Sequence, residues 1–300
     1  MAPSALREHI IRTLLYYEIF DHPLSEKELF YLLPVPSPGR PGLKDILSGM
    51  IEDRVLLEKD AFYARSSNAG LTAVRIDRER VGRRRFRIAR IMAHVIKRFP
   101  FVRAVMVSGD LSKGVATAGS DIDFVVVTEP GRLWICRMLL IGFKKIFLLN
   151  SRKYFCLNYF IDTAHLSLEE RNYYTATEIA HLMPLYNFPF FLRYMNANAW
   201  IQEYFPNYRS IAFHRDIGNN RRSILQRMLE WPLGGEWADR LDARLMEFMR
   251  ATWKKRYPNY DDATRDRIFR CLPGESRAYG GNFAEKILSL YEQKLRELDA

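Results

Sequence analysis

The sequence predicts a multidomain α+β protein: an N-terminal unit of helices and a hairpin, a central mixed β-sheet with flanking helices, and a helical C-terminal domain. Three observations favour this class. The chain has 300 residues, more than one hydrophobic core usually organises. Apolar residues recur at helical spacing before residue 100, and alternating strand and helix patterns begin at residue 101. Beyond residue 166 the helical patterns return.

Composition excludes several classes of protein. Apolar residues make up 48% of the chain, which excludes wholesale disorder. The three cysteines are far apart, so their spacing provides neither a zinc knuckle nor a disulfide framework: Cys136, Cys156 and Cys271. A reducing, cytoplasmic location is expected. The net charge of +11 favours a polyanionic partner.

No segment predicts a membrane span or a secretory signal. The most apolar stretch covers residues 133–149, but Arg137, Lys144 and Lys145 interrupt it. A span needs about 20 consecutive apolar residues. We therefore expect a buried amphipathic helix there and no membrane partner.

The first elements are predicted between residues 5 and 64. Helical spacing predicts helices over 5–20, after Ser25 and over 43–54, and two short apolar runs over 55–64 predict a hairpin. Ser25 and Glu28 have the spacing of a capping box at the start of the second helix. A loop rich in proline and glycine covers 34–42.

This order of elements resembles a winged helix-turn-helix domain, assigned to residues 1–66. The resemblance implies contact with DNA through the third helix, where Lys44 is the candidate. Asp45, Glu52 and Asp53 share that helix, so its face is not strongly basic. A small helical scaffold that binds protein stays open as the alternative.

A basic helix is predicted over the linker 67–100. Arginines are dense in it and an apolar stripe accompanies them. Two interpretations stay open: a solvated helix face and a stripe that contacts phosphates. The candidate nucleic-acid contacts are Arg83, Arg84, Arg85 and Arg87.

The residues between 107 and 124 carry the chemical signal. A predicted strand over 102–107 leads into Ser108 and Gly109, and a second strand is expected to start near Asp121. Strand alternation puts Asp121 and Asp123 on one face, roughly 7 Å apart. Two such carboxylates repel each other beside a hydrophobic sheet, and a divalent cation, with Mg²⁺ the best fit, removes that repulsion. Gly109 allows the backbone to approach a phosphate closely.

This stretch resembles the nucleotidyltransferase signature of the DNA polymerase beta superfamily, in its minimal bacterial form. Gly109 matches the glycine of the signature, Lys113 and Gly114 match its Arg-Gly pair, and Ser120 to Asp123 match its Ser-Asp-x-Asp end. The resemblance assigns residues 101–165 to the nucleotidyltransferase core and 166–300 to a helical domain. It implies nucleotide-binding roles for Ser108, Gly109, Asp110, Ser112, Lys113 and Ser120.

The chain departs from the signature at two places. Asp110 stands where the family has a serine that helps to hold phosphates. The family's third carboxylate belongs on the next strand, predicted over 155–161, where either Asn158 or Asp162 could take its place. We expect Asp162, which lies on the same face of the strand as Asn158 by period two.

The resemblance implies an enzyme that moves a nucleoside monophosphate from a nucleoside triphosphate to a hydroxyl and releases pyrophosphate. Two Mg²⁺ ions are expected, with Asp121, Asp123 and Asp162 as metal ligands and catalytic residues. The acceptor, nucleic acid, protein or small molecule, stays open, as do the base, the oligomeric state and contact with DNA or RNA. Two alternatives are a catalytically weak nucleotide-sensing DNA-binding regulator and a toxin or antiviral-defence nucleotidyltransferase.

Overall fold

The computed structural model describes residues 3–68, 70–209, 222–278 and 283–299. Over these ranges the chain is an α+β fold with a three-stranded and a six-stranded β-sheet. The predicted α+β class is confirmed. The division into four domains stays a prediction.

The N-terminal elements follow the expected order. They are α1 (Pro3–Glu18), β1 (Leu24–Ser25), α2 (Glu26–Leu32), α3 (Arg40–Glu52), β2 (Leu56–Lys59) and β3 (Phe62–Arg65). The strands form a small antiparallel sheet in the order β1-β3-β2. The predicted capping box is confirmed: the backbone N–H of Glu28 donates to Ser25 Oγ at 3.3 Å, and the backbone N–H of Ser25 donates to Glu28 Oε2 at 2.8 Å. Helix α2 therefore starts at its own sequence signal.

The central elements begin with the long basic helix. They are α4 (Leu71–Ile96), β4 (Val102–Ser108), α5 (Gly109–Ser112), β5 (Asp123–Thr128), α6 (Leu133–Phe147) and β6 (Cys156–Asp162). Strand β4 pairs antiparallel with β5, and β5 pairs parallel with β6, so the sheet is mixed as predicted. Strand β5 begins at Asp123, which leaves Asp121 in the loop before it.

The remaining elements complete the large sheet. They are α7 (Tyr173–His181), β7 (Met183–Tyr186), α8 (Phe188–Ala197), α9 (Ile201–Tyr204), α10 (Ile224–Glu230), α11 (Glu236–Arg256), α12 (Asp262–Ile268), β8 (Cys271–Leu272), β9 (Glu275–Arg277) and α13 (Phe283–Asp299). The large sheet has the strand order β7-β4-β5-β6-β9-β8. Most of the elements after residue 165 are helices, as expected, but the three short strands among them were not predicted, and through them the sheet extends beyond residue 165. Strands of two to four residues are too short to show a periodicity.

Alternating side chains of the central strands face two hydrophobic cores. Val125 and Val127 of β5 pack in a core with α1, α2, α3, α7 and α8. Phe124 and Val126 pack in the other core, with α4, α6 and α11. The N-terminal elements thus share a core with one face of the sheet. The polar ends of β4 and β5 are left at the edge where the candidate site lies.

None of the helices in the described ranges combines the length and apolar character that crossing a membrane requires. This fits the interpretation of 133–149 as an amphipathic helix, since α6 buries Leu133, Trp134 and Leu140 against the sheet.

Candidate functional site

A tight turn joins β4 to α5 at the predicted signature. Gly109 has φ +68°, a conformation that favours glycine. A Cβ placed on Gly109 would lie 3.0 Å from Asp123 Oδ2. The turn therefore passes directly over the Asp123 carboxylate, and both its backbone angle and this close approach require glycine.

Asp123 starts β5 between two neighbouring strands. Its backbone pairs with Ser108 of β4 and with Cys156 of β6. Its Oδ1 accepts a hydrogen bond of 2.9 Å from Asn158 Nδ2. Burial, more than anything else, raises the pKa of Asp123 to about 6; a hydrogen bond from Cys156 partly opposes the shift. Folding thus puts this carboxylate where its charge is costly.

Other carboxylates lie close to Asp123. Asp121, Glu178 and Asp110 all raise the pKa of Asp123 by charge repulsion. Asp121 and Asp123 are therefore near each other, and Glu178 of α7 is a further carboxylate nearby. The prediction that strand alternation puts both on one face is wrong, because β5 begins at Asp123 and Asp121 lies in the loop before it. A concentration of negative charge at a half-buried position is what a bound cation stabilises.

The expected role of Asp162 requires correction. Asp162 ends β6 opposite Thr128, the last residue of β5, whereas Asp123 is the first residue of β5. Five residues of strand separate the two positions, about 16 Å. Asp162 is buried, and its Oδ1 accepts hydrogen bonds from Ala164 N, His165 N and His165 Nδ1. Asp162 therefore stabilises the turn after β6, and Asn158 stands beside Asp123 in its place.

Lys113 lies next to the turn but has a carboxylate partner. Its Nζ is 2.8 Å from Glu178 Oε1 and 3.4 Å from the carbonyl oxygen of Gly109. The side chain is buried, with 8% of the residue exposed. Lys113 thus lies beside the Gly109 turn, with its charge compensated by Glu178.

Four candidates of the turn remain, and three of them form hydrogen bonds with one another or with its backbone. Ser112 Oγ donates to the Gly109 carbonyl at 2.7 Å. Ser120 Oγ donates to Asp110 Oδ2 at 2.9 Å, which connects the loop before β5 to the start of α5. Ser108 caps α5 through its backbone position only, with no side-chain hydrogen bond at the cap. Asp110 is exposed at the site edge.

Arg85 differs from the other predicted nucleic-acid contacts. It is buried, and its guanidinium donates to the carbonyl oxygens of Ser120 at 2.7 Å, Ala118 at 2.8 Å and Lys153 at 3.3 Å. The prediction that Arg85 contacts nucleic acid is therefore wrong for this structure, because its donors hold the loop before Asp121. The exposed members of the predicted set are Lys44, Arg83, Arg84 and Arg87.

Helix α4 also packs its backbone against this loop. A Cβ on Gly82 would lie 2.4 Å from the Gly114 carbonyl oxygen, so only glycine allows this approach. The backbone N–H of Ala116 donates to the Arg78 carbonyl at 3.0 Å. The basic helix is thus a support for the candidate site.

The donor set fits one Mg²⁺ better than two. Asp121 and Asp123 offer hard carboxylate oxygens, and Mg²⁺ commonly takes one or two carboxylates together with phosphate and water. Across residues 3–68, 70–209, 222–278 and 283–299, no group of three or more His, Cys, Asp or Glu side chains is arranged to hold a metal ion. With Asn158 beside Asp123, a second ion lacks its strand carboxylate.

Two residues of this site were not predicted from the sequence in the roles they have. Glu178 is distant in sequence from the residues of the turn and belongs to no motif. Its position in a helix after the third strand of the predicted core is the one signal that could have made it a candidate site residue. Arg85 was predicted for its charge alone, since burial is not visible in a run of arginines. No family model, no curated protein and no solved structure matches this chain.

Proposed function

We propose that the chain binds a Mg²⁺–nucleoside triphosphate between the Gly109 turn and the Asp121–Asp123 pair, and transfers the nucleoside monophosphate to a hydroxyl acceptor with release of pyrophosphate. The observation that supports this best is the turn itself, which has positive φ at Gly109 and lies against Asp123 Oδ2. A backbone turn beside paired carboxylates suits a phosphate that arrives with a divalent cation.

Each residue of the site would have a separate role in binding the Mg²⁺–nucleotide. Asp121 and Asp123 would hold Mg²⁺, which when bound supplies neutralisation of phosphate charge. Backbone N–H groups after β4 would donate to phosphate oxygens, and Lys113 would add a positive charge. Arg85 would keep the Asp121 loop in place through its bonds to Ala118 and Ser120. The protein would thus act mainly by positioning and by charge.

Nucleic acid is the acceptor that the charge distribution favours. The net charge is +11, and Arg83, Arg84 and Arg87 are exposed on one helix. Protein hydroxyls and small molecules are the other acceptors to test.

The test is a labelling experiment. Each nucleoside triphosphate, labelled at the α-phosphate, is incubated with Mg²⁺, the protein and a pool of RNA, DNA and protein. Label on one class of acceptor and equimolar pyrophosphate are expected from the wild-type chain, and neither from Asp121→Asn. Absence of labelled acceptor and of pyrophosphate with all four nucleotides would contradict transferase activity.

One observation favours a second function, a nucleotide sensor with weak or no turnover. Asn158 donates to Asp123 Oδ1 at the place where a third carboxylate would assist the attacking hydroxyl. An amide cannot accept a proton from that hydroxyl, so turnover would be slow. Nucleotide binding without pyrophosphate release identifies the sensor, and Asn158→Asp should then increase turnover.

A further inference from the structure

The positive charge that a triphosphate would use at this site is already paired. Lys113 Nζ contacts Glu178 Oε1 at 2.8 Å and the Gly109 carbonyl oxygen at 3.4 Å. Lys113 is almost fully buried, whereas the Glu178 side chain is 26% exposed. The two residues come from different elements, since Lys113 follows α5 and Glu178 lies in α7.

Glu178 belongs to the electrostatic surroundings of the site as well. It is one of the carboxylates whose repulsion raises the pKa of Asp123. A carboxylate at this location thus neutralises the phosphate-site lysine and repels an incoming anion at the same time. Both effects weaken the binding of a phosphate group to the resting site.

The helix that carries Glu178 is anchored to α1 through a side chain on the same helix face. His181, one turn further along α7, has its Nε2 2.7 Å from the hydroxyl of Tyr17 in α1. Ala176 and Ile179 of α7 are buried in the core that includes α1. Because these neighbours hold α7 in place, we expect Glu178 to leave Lys113 by rotation of its own side chain, which is 26% exposed.

We infer that the Glu178 carboxylate pairs with the Lys113 ammonium where a phosphate would otherwise bind. When a nucleotide binds, its triphosphate replaces the Glu178 carboxylate as the partner of that ammonium. Glu178 acts in this way as a positioning residue that sets the nucleotide affinity of the site. The inference rests on the proposed function and concerns its regulation. A triphosphate carries more charge than one carboxylate and makes charge-assisted hydrogen bonds, so it can win this exchange.

The test measures affinity by calorimetry for two probes, the Mg²⁺–nucleoside triphosphates and inorganic tripolyphosphate. Glu178→Gln keeps the shape of the side chain and removes the competing charge, so both probes should bind at least about fivefold more tightly. Glu178→Asp keeps the charge with a shorter reach and should lie between Gln and the wild type. Glu170→Gln is the matched control: it breaks an ion pair with Arg277 and should leave both affinities unchanged.

A double variant tests whether Glu178 acts through Lys113. The gain in affinity from Glu178→Gln should be much smaller in a Lys113→Met background than in the wild type, because the larger part of it acts through the ammonium and only direct repulsion of the anion remains. A gain of the same size with and without Lys113 would overturn the exchange. Circular dichroism and the melting temperature confirm that each variant folds.

The remaining outcomes separate this inference from the proposed function. Equal affinities in Glu178→Gln and the wild type would overturn the exchange, and loss of the Mg²⁺-dependent part of binding would overturn it in favour of Glu178 as a metal ligand. If Glu178→Gln binds tripolyphosphate more tightly than the wild type but no nucleotide binds, the exchange is supported and the proposed function is contradicted. No binding of either probe to any variant would overturn both.

Discussion

Asp123 is a carboxylate in surroundings that favour its protonated form. Burial is the main cause of a pKa raised from 3.8 to about 6, with repulsion from Asp121, Glu178 and Asp110 added to it. One pKa unit corresponds to about 1.4 kcal/mol. We therefore predict that Asp123→Asn increases the free energy of unfolding at pH 7 by about 1–3 kcal/mol while it abolishes Mg²⁺-dependent nucleotide binding.

The stability gained by Asp123→Asn should depend on pH, and the raised pKa of Asp123 gives the sign of that dependence. A group whose pKa is raised in the folded state binds more protons there between its two pKa values, so its stability penalty grows as pH rises from about 4 to about 6. The gain from Asp123→Asn should be full above about pH 6 and fall toward zero near pH 4. Urea unfolding across this range measures it, and the exposed Asp45→Asn is the control. A gain that does not change with pH would contradict the electrostatic explanation.

Position 109 requires glycine for two reasons, the backbone angle of the turn and the closeness of the Asp123 carboxylate. The backbone φ at this position is +68°, which is strained for alanine, and an alanine Cβ would lie 3.0 Å from Asp123 Oδ2. We expect Gly109→Ala to lower the free energy of unfolding by about 1–2 kcal/mol and to weaken nucleotide binding, since the turn must move off the carboxylate. Gly142→Ala within α6, where a Cβ meets nothing within 4 Å, should instead be neutral or stabilising. Equal effects of the two changes in thermal unfolding would exclude this reasoning.

At the scale of elements, α4 determines the position of the Asp121 loop. Arg85 donates to three backbone carbonyls of neighbouring segments, at Ala118, Ser120 and Lys153. Arg85→Ala should therefore lower the free energy of unfolding by about 2–4 kcal/mol, because the packing of a buried side chain and its three hydrogen bonds to the loop are lost together. The adjacent Arg84→Ala, at an exposed position, should change it by less than about 0.5 kcal/mol. Chemical denaturation of both variants measures the contrast, and similar losses would disprove the structural role of Arg85.

The elements with local signals could be predicted from the sequence. The capping box at Ser25 and Glu28 fixed the start of α2 because its two hydrogen bonds are made within four residues. The glycine turn after β4 could be predicted for the same reason, and so could the closeness of Asp121 to Asp123, although Asp121 lies in a loop and not on the predicted strand. Their role in catalysis stays a prediction.

The features that depend on partners distant in sequence could not be predicted. The choice between Asn158 and Asp162 depends on the register between β5 and β6, and period two alone gives both residues the same face. Glu178 reaches Lys113 only because α7 packs beside the sheet, 65 positions along the chain. The buried state of Arg85 likewise depends on the loop that covers it.

At the scale of the whole molecule, two hydrophobic cores on opposite faces of one sheet organise the chain. One of them includes side chains from α1, α2 and α3 together with Met106, Val125 and Ile179. The N-terminal elements are thus packed against the elements that build the candidate site. We expect them to unfold together with the sheet.

Two buried histidines lie where the N-terminal elements meet α4 and α7. His22 contacts Arg75, and His181 contacts the Tyr17 hydroxyl at 2.7 Å. Burial is the main cause that lowers the pKa of both below 6.5, helped by the charges of Arg75 and Lys113. A lowered histidine pKa contributes stability above the unfolded value of 6.5 that is lost as pH falls below it.

We therefore predict that His181→Gln reduces the loss of stability on acidification. The glutamine can keep a hydrogen bond to Tyr17 but does not gain a proton. The melting temperature of this variant should fall less than that of the wild type between pH 6.5 and 5. An identical pH profile in the two proteins would contradict a contribution from His181. His9→Gln, at a partly exposed position on α1, is the control.

The most direct test of the account is the Mg²⁺ dependence of nucleotide binding. The melting temperature is measured with each nucleoside triphosphate in Mg²⁺ and again in EDTA, for the wild type and Asp121→Asn. At a ligand concentration of 100 times Kd, binding stabilises the folded chain by about 2.7 kcal/mol, which is a clear shift. The account predicts that shift for the wild type in Mg²⁺ only. A shift that is the same in EDTA, the same in Asp121→Asn, or absent with all four nucleotides would contradict it.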